Sequence, residues 1–369
     1  MPDTTANAEA IRRHQAMLQL LSQRQLRDSL SLTSPPSFRI SLVAALQSAL
    51  AVLVAILMAR LSPWPHLVGF PALGALAALF GRFAPMEMRM RIVAVCAGLL
   101  TAGVLLPSLV SLAGAPQWAM MLVLALIAGL STLIVSHWVL GGPGAVIIVF
   151  ATGASLAPVT GVDTVVERTL GTLAGGLAAC LVCWATDWLR RVELPRIQLP
   201  KPVAPPLKAE LVAAGRITVG AGLAAGIAYA AGWHHPSWAA IGATAVMQGG
   251  HLHITMNRAL QRMAGTVVGA LLVGLILAQN PSFWWIALCI IVFQFVTELI
   301  IGYNYALGQI TVTPMALLMT YLASPAAGAS MPLERVMDTI LGAALGIVFA
   351  VLFSSLDDRA YLRKLHQKA

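Results

Sequence analysis

The stretch NRALQRMAGTVVGALLVGLILA, residues 257–278, places two arginines one helical turn apart at the start of a long apolar run. A guanidinium cannot be neutralised by losing its proton, so Arg258 and Arg262 each need water, a carboxylate or an anionic ligand nearby. Beyond Arg262 the run carries no charge as far as Ala278, and about 20 apolar residues are enough to cross a bilayer. The stretch therefore predicts a membrane-spanning helix with a cationic mouth.

The composition of the whole chain indicates a membrane protein. Of the 369 residues, 59% are hydrophobic and only 10% are charged, whereas a soluble domain has about 25% charged residues. The apolar residues fall in blocks whose length suits transmembrane helices rather than barrel strands. The four cysteines lie inside these blocks, which argues against a disulfide framework. The net charge of +9 comes from basic residues between the blocks, so nucleic acid is not an expected partner.

The apolar blocks predict an all-α polytopic protein with about twelve transmembrane helices. These helices are expected to begin near Ile40, His66, Arg91, Gln117, Gly142, Arg168, Leu211, Ser237, Arg262, Ser282, Tyr305 and Arg335. The two halves are similar in sequence: RISLVAAL at Arg39 matches RITVGAGL at Arg216, and ERTLGTLAGG at Glu167 matches ERVMDTILGA at Glu334. Six is an even number, so the two halves should share one orientation and form a parallel repeat.

Basic residues concentrate on one side of the predicted helices, with Arg60, Arg168 and Arg335 as exceptions. Under the positive-inside rule, both termini and the linker between the halves should be cytoplasmic. The predicted organisation is a basic amphipathic cytoplasmic arm (1–38), a first six-helix repeat (39–190), a Pro-rich basic cytoplasmic linker (191–210), a second six-helix repeat (211–356) and a basic cytoplasmic tail (357–369).

A shorter motif, R-x-x-x-T-x-x-G, recurs along the chain. It occurs at Arg262/Thr266/Gly269, Arg168/Thr172/Gly175 and Arg335/Thr339/Gly342, with Arg91/Val95/Gly98 as a weaker copy. The i, i+4, i+7 spacing puts the arginine, the hydroxyl and the glycine on one helix face. We expect the glycine to allow another helix to approach closely.

Two segments resemble a known family. HPSWAAIGATAVMQGGHLHITMNRALQRMAGTVVGALL, residues 235–272, and YNYALGQITVTPMALLM, residues 303–319, resemble the fusaric acid resistance protein-like family, which includes aromatic acid exporters. The arrangement of residues 38–356 is similar as well, and a more distant likeness links the chain to plant aluminium-activated malate channels. The resemblance implies a bacterial inner-membrane protein that handles organic anions.

The expected function is gradient-driven export of small organic anions, with aromatic and other carboxylic acids as substrates. The chain has no Walker-type G-x-x-x-x-G-K-[ST], H-E-x-x-H or G-x-S-x-G motif, so we expect neither ATP-driven transport by this chain nor an enzyme, and no cofactor or metal. An organic-anion channel and a non-transport scaffold or accessory subunit stay open as alternatives. The expected partners are the organic anion and the lipid bilayer, with a second copy or a periplasmic accessory protein as candidate protein partners.

Arg262 and Thr266 are the leading candidates for contact with the anion. A helix N-terminus is expected beside them, whose free N–H groups also favour an anion. Arg258 should raise the local anion concentration, although both arginines could instead be membrane anchors. Arg168 and Arg335 would form an outer anion site or, as the alternative, be compensated locally, as by Asp338 three residues after Arg335.

The other candidates are polar or aromatic residues within apolar blocks. Trp238, Thr172, Thr339 and Thr313 are expected to line the path. Glu298 has three open readings, namely proton coupling, pairing with an arginine, or exposure near a helix end. His251 and His253 are candidates for a gate that titrates near neutral pH.

Overall fold

The computed structural model describes residues 11–190, 205–323 and 330–367, which form fifteen α-helices and no strand. Two short helices come first, α1 (Arg13–Leu20) and α2 (Gln23–Ser29). The next six are α3 (Phe38–Leu61), α4 (Gly69–Ala75), α5 (Met86–Leu112), α6 (Gln117–His137), α7 (Ala145–Ala154) and α8 (Val162–Ala185). The last seven are α9 (Leu207–Ala230), α10 (Ser237–Met247), α11 (Leu252–Leu277), α12 (Phe283–Ile300), α13 (Tyr305–Ala323), α14 (Met331–Leu352) and α15 (Leu356–Gln367).

Eight of the described helices are long and apolar enough to cross a membrane, namely α3, α5, α6, α8, α9, α11, α12 and α14. Their outward faces carry rows of exposed leucines, such as Leu122, Leu126 and Leu130 on α6. Because these leucines recur every four residues, they form one apolar stripe along the helix. The chain is therefore a membrane protein with several apolar helices.

Three of the predicted spans are shorter than expected. The helices near His66, Gly142 and Ser237 cover only 69–79, 145–154 and 237–247. About ten residues of helix reach only about half of the ~30 Å hydrocarbon core. Proline and glycine account for the short lengths, since Gly142-Pro143 precedes α7 and α10 lies between Pro236 and Gly249-Gly250.

Several helices begin earlier than predicted. The predicted starts at Arg91, Arg168 and Arg262 are wrong, because α5, α8 and α11 begin at Met86, Val162 and Leu252. The prediction assumed that each arginine marks an interface, whereas Arg168 and Arg262 are buried within their helices. The helix α9 begins at Leu207, inside the predicted linker, and residues 191–204 of that linker lie outside the described residues.

The packing of the first half recurs in the second. In each half the short helix and the third helix pack on the last, so that α4 and α5 contact α8 while α10 and α11 contact α14. Between the halves, α3 packs against α12 and α9 packs against α6. The first helix of each half therefore lies against the fourth helix of the other.

The arm helices α1 and α2 and the last helix α15 lie at one end of the bundle, which we call the arm side. Ala16 and Leu20 of α1 are buried in one cluster with Leu252 and Leu362. Asn304 Nδ2 donates hydrogen bonds to the carbonyl oxygens of Ser29 (3.0 Å) and Ser31 (2.9 Å). The chain that follows α2 is thus held against the start of α13, and the opposite end of the bundle is called the far side.

Candidate functional site

A cavity of about 520 Å³ lies between the two halves. Residues of the arm, including Asp28 and Thr33, line its arm-side end, and Arg335 lines it deeper in the bundle. The first half contributes an apolar wall formed by Leu76, Leu79, Val146, Ile147 and Phe150. The second half contributes arginine, glutamine, threonine and tyrosine side chains. A cavity of this volume, apolar with a few convergent polar groups, is typical of a small-molecule site.

Arg262 projects from α11 into this cavity and is only 3% exposed. Its Nη1 donates hydrogen bonds to Tyr305 Oη (3.0 Å) and to Gln309 Oε1 (3.3 Å), both on α13. Its Nε has no hydrogen-bond partner within the described part of the chain. The guanidinium is therefore held in place by neutral acceptors that leave its charge uncompensated.

Arg335 lies at the inner end of the same cavity and is 2% exposed. Its guanidinium carbon lies 5.2 Å from the centre of the Trp238 ring, and the His235 ring stacks on Trp238 at 4.1 Å. His235 Nδ1 and His234 Nδ1 contact the two carboxylate oxygens of Glu334 at 2.8 and 2.9 Å. These residues form a continuous column from the cavity to the exposed His234 on the far side.

The hydrogen-bonded ion pair predicted between Arg335 and Asp338 is not formed. Asp338 is fully buried one turn further along α14, but neither of its carboxylate oxygens accepts a hydrogen bond from any described residue. The Nε and Nη1 of Arg335 also have no such partner in the described ranges. The i, i+3 spacing allows a contact, whereas the arginine side chain lies over Trp238 instead.

Arg262 does not lie at a helix N-terminus, so the free N–H groups expected beside it are not available to bind an anion there. The helix α11 begins at Leu252, so about ten residues separate Arg262 from the free N–H groups of the first turn. Any attraction of an anion to Arg262 therefore rests on its own charge, since the dipole effect fades within the first turn.

Glu298 of α12 lines the cavity and is paired with Arg82, which precedes α5. This contact between the halves matches the arginine-paired reading of Glu298. Burial, with a smaller contribution from Arg89, lowers the pKa of Arg82 to about 10. Arg82 is therefore charged at neutral pH and can balance the Glu298 carboxylate.

Arg258 is half-buried and lines the arm-side end of the cavity. Thr266, Thr313 and Thr339 are buried and lie outside the lining. A Cβ at Gly269 would lie 2.7 Å from the Thr313 Cβ and 3.0 Å from Pro314 Cδ, and a Cβ at Gly242 would lie 3.7 Å from the Thr339 Cα. The motif threonines therefore lie where helices meet closely.

The close approach predicted for the motif glycines is found in three of the four copies. A Cβ at Gly175 would meet the Pro71 carbonyl oxygen, and one at Gly342 would meet that of Ala239. The weaker copy differs, since nothing lies within 4 Å of a Cβ at Gly98. The three strong copies therefore join their helices to α13, α4 and α10.

Arg168 and Thr172 lie in the first half, away from the cavity lining. Arg168 Nη1 donates to the Ala157 carbonyl oxygen at 3.1 Å, and its guanidinium lies 5.4 Å from the Phe70 ring centre. Thr172 Oγ1 donates to the Arg168 carbonyl oxygen at 2.8 Å. The outer anion site expected around Arg168 and Arg335 is thus two separate places.

His251 and His253 lie beneath the last helix rather than in the cavity. His251 Nδ1 is 2.6 Å from Asp358 Oδ1, and the His253 ring is 5.4 Å from that of Tyr361. The gating prediction for these histidines stays a prediction, and the structure ties them to α15. Among the described residues, no three His, Cys, Asp or Glu side chains come together as metal ligands.

Sequence reasoning missed Tyr305, Gln309 and Arg82, which hold Arg262 and Glu298. One signal was available, because Tyr305 and Gln309 are polar and four residues apart in a mainly apolar segment. Residues at this spacing share a helix face. The partner Arg82 gave no such signal, because it lies 216 positions from Glu298.

Comparisons with known proteins concern the second half of the chain. The model of the fusaric acid resistance protein-like family matches residues 223–349, which include Trp238, Arg262 and Arg335. The uncharacterized membrane protein YvaC of Bacillus subtilis (strain 168) is 37% identical over 126 residues, which are 34% of this chain and 20% of that protein. No solved structure matches. The resemblance predicted from residues 235–272 and 303–319 is confirmed, because residues 223–349 match the model of the fusaric acid resistance protein-like family.

Proposed function

We propose that this chain is a gradient-driven transporter that exports small organic anions, with aromatic carboxylates as the preferred class. The observation that carries the proposal is the pair Arg262 and Arg335 in one cavity, both buried and both with unpartnered N–H groups among the described residues. Buried positive charge is costly unless it is compensated. An organic anion supplies that compensation and accepts the free hydrogen bonds.

The shape of the cavity supports an aromatic or otherwise apolar body on the anion. One wall carries Leu76, Ile147 and Phe150, while Arg262 and Gln309 face it from the second half. A planar guanidinium binds a carboxylate through two parallel hydrogen bonds. The anionic group would therefore lie at the arginines and the ring against the first half.

The repeated packing supports twelve membrane helices in two parallel six-helix halves. Each intra-half contact described above has a counterpart in the other half, and the exchange of α3 and α9 between the halves is reciprocal. In this arrangement the short helices α4, α7 and α10 would be buried broken helices that line or seal the path, as irregular backbone does in transporters. The excess of basic residues on the arm side supports a cytoplasmic arm, linker and tail in a bacterial inner membrane.

The column of Arg335, Trp238 and His235 favours a transporter over an open channel. It fills the space between the cavity and the far side, since Arg335 and Trp238 are both buried. The cavity is lined by arm residues at its other end. A cavity sealed on one side is the arrangement that alternating access requires.

The test is flux of benzenesulfonate through the purified chain in liposomes, under an imposed anion gradient. A sulfonate stays ionised over the pH range used, so leakage of a neutral acid does not contribute. Saturable flux that benzoate inhibits supports the proposal. Current that follows voltage without saturation would indicate the channel, and a lack of any flux or binding of either anion would leave the scaffold.

A further inference from the structure

Asp338 is a buried carboxylate that the proposed transport site does not yet use. It lies on α14 with 0% of its surface exposed, and neither oxygen has a hydrogen-bond partner among the described residues. A carboxylate keeps its charge in an apolar interior only where a cation or hydrogen-bond donors compensate it. Asp338 therefore needs either a nearby cation or a proton.

On its own helix, Asp338 is close to Arg335 and Glu334. Glu334 is already engaged by His234 and His235 at the far side. Arg335 makes no hydrogen bond to Asp338, but it is close enough for their charges to interact. Arg335 is therefore the cation that balances Asp338.

Among the described residues, the neighbouring helices place no second cation close to Asp338. Across the cavity, Arg262 of α11 and Tyr305 of α13 lie close enough to Arg335 to interact with its charge. The helix α10 has no titratable side chain, and Arg216 of α9 donates to the Met247 carbonyl oxygen at the arm-side end of α10. Arg335 is thus shared between Asp338 and whatever anion the cavity holds.

The first half shows that the motif does not need this carboxylate for packing. Gly171 occupies the position that corresponds to Asp338, between the motif residues Arg168 and Thr172. There the arginine donates to the Ala157 carbonyl oxygen and lies over the Phe70 ring, and its Nε has no partner among the described residues. Because the helices pack closely in both halves, close packing does not account for the acid in the second half.

We propose that Asp338 is a proton-binding site linked to the anion site, so that protonation of Asp338 and binding of an anion at Arg335 strengthen each other. The inference rests on the proposed function, because it needs an anion in the cavity. The empty site balances Arg335 with the Asp338 carboxylate. A bound anion takes up the charge and the free N–H groups of Arg335, which leaves the Asp338 carboxylate without its cation, and uptake of one proton neutralises that carboxylate. By linkage, the effect is equal in both directions.

The linkage gives the transporter a response to acid. An organic acid that enters a cell releases protons there, and a lower pH on the arm side would raise the affinity of the cavity for the anion. The site would therefore bind best when the acid load is highest.

The test measures binding of benzenesulfonate to the full chain in lipid nanodiscs by calorimetry between pH 5.5 and pH 8. We expect the affinity of the wild-type protein to rise roughly tenfold as the pH falls, the size of a typical coupling between two sites. Asp338→Asn should bind with an affinity that does not change with pH. The control is Asp163→Asn, which removes an exposed carboxylate in the first turn of α8, outside the cavity lining, and should keep the pH dependence.

A second measurement needs no variant. Calorimetry of the wild-type protein in two buffers of different ionisation enthalpy gives the number of protons taken up per anion, and we expect a value that approaches one. Binding without proton uptake, or unchanged pH dependence in Asp338→Asn, would overturn the inference and leave the proposed function standing. Failure of the wild-type protein to bind benzenesulfonate and benzoate at every pH would instead remove the proposed function.

Discussion

Arg262 and Arg335 place two positive charges in one cavity, although the motif they share also occurs away from that cavity. Arg168 has the same motif, yet it lies outside the cavity lining, where its guanidinium donates to a carbonyl oxygen and lies over an aromatic ring. The difference lies in the surroundings, since Tyr305 and Gln309 hold Arg262 without neutralising it. At the residue scale, the proposed function therefore depends on whether the arginine of the motif faces the cavity.

We expect Arg262→Ala to lower benzenesulfonate flux by roughly 10- to 150-fold, because a charge-assisted hydrogen bond contributes about 1.5–3 kcal/mol. Arg262→Lys should recover part of the flux, since a point charge replaces a planar fork. Arg258→Ala should cost less, and its effect should disappear in high salt, where attraction at the surface is screened. Full flux in Arg262→Ala, with a normal yield of folded protein, would show that Arg262 does not bind the anion.

The pair of Arg82 and Glu298 permits a stability prediction. Arg82→Ala leaves the Glu298 carboxylate buried without its partner, and breaking such a pair costs about 3–5 kcal/mol. We expect a clear fall in the thermal unfolding temperature in detergent. The double variant Arg82→Ala/Glu298→Gln should recover much of that loss, because no charge remains to be compensated. A double variant as unstable as Arg82→Ala would contradict this account.

At the element scale, the motif glycines set how closely the helices meet. Gly269→Val should weaken the contact between α11 and α13, since a Cβ there already lies 2.7 Å from Thr313. We expect a loss of about 1–3 kcal/mol of stability, the usual cost of overpacking. Gly274→Val on the same helix is the matched control, because nothing lies within 4 Å of its Cβ. Equal unfolding temperatures for the two variants would show that close packing at Gly269 does not limit stability.

Sequence patterns were sufficient for the membrane class, the long helices and the close approach of the three motif glycines. They were insufficient for the helix starts at Arg168 and Arg262, because charge was assigned to interfaces and these arginines are buried. The patterns also predicted full membrane spans where α4, α7 and α10 are short helices, because short apolar blocks near proline and glycine resemble full spans in the sequence.

The site was only partly predictable for a related reason. Arg262, Arg335 and Glu298 stood out because charge in an apolar block is costly wherever it points. Their surroundings depend on contacts between distant parts of the chain, such as Arg82 with Glu298, and local spacing carries no information on those contacts. The threonines Thr266 and Thr339 share a face with the arginines, but both are buried outside the cavity lining, next to glycines that meet another helix closely.

At the scale of the whole molecule, the cavity is lined by arm residues at one end and by the buried column at the other. We expect Val312→Cys, which lines the cavity, to react with a membrane-impermeant thiol reagent applied from the arm side. His234→Cys should react only from the far side, where that side chain is exposed. The background protein lacks the native cysteines, of which Cys180 and Cys289 are partly exposed. Labelling of Val312→Cys from the far side alone would reverse the assigned opening.

The exchange of first helices between the halves has a consequence for synthesis. The helix α3 packs against α12, which the ribosome makes more than 200 residues later. At roughly 5–20 residues per second, α3 waits on the order of ten seconds or more for that surface to exist. The same holds for α6, whose contact with α9 forms only once the second half has begun. Until then, the faces of α3 and α6 that will contact α12 and α9 are exposed to lipid. The newly inserted first half is therefore a folding intermediate whose packing is completed only by the second half.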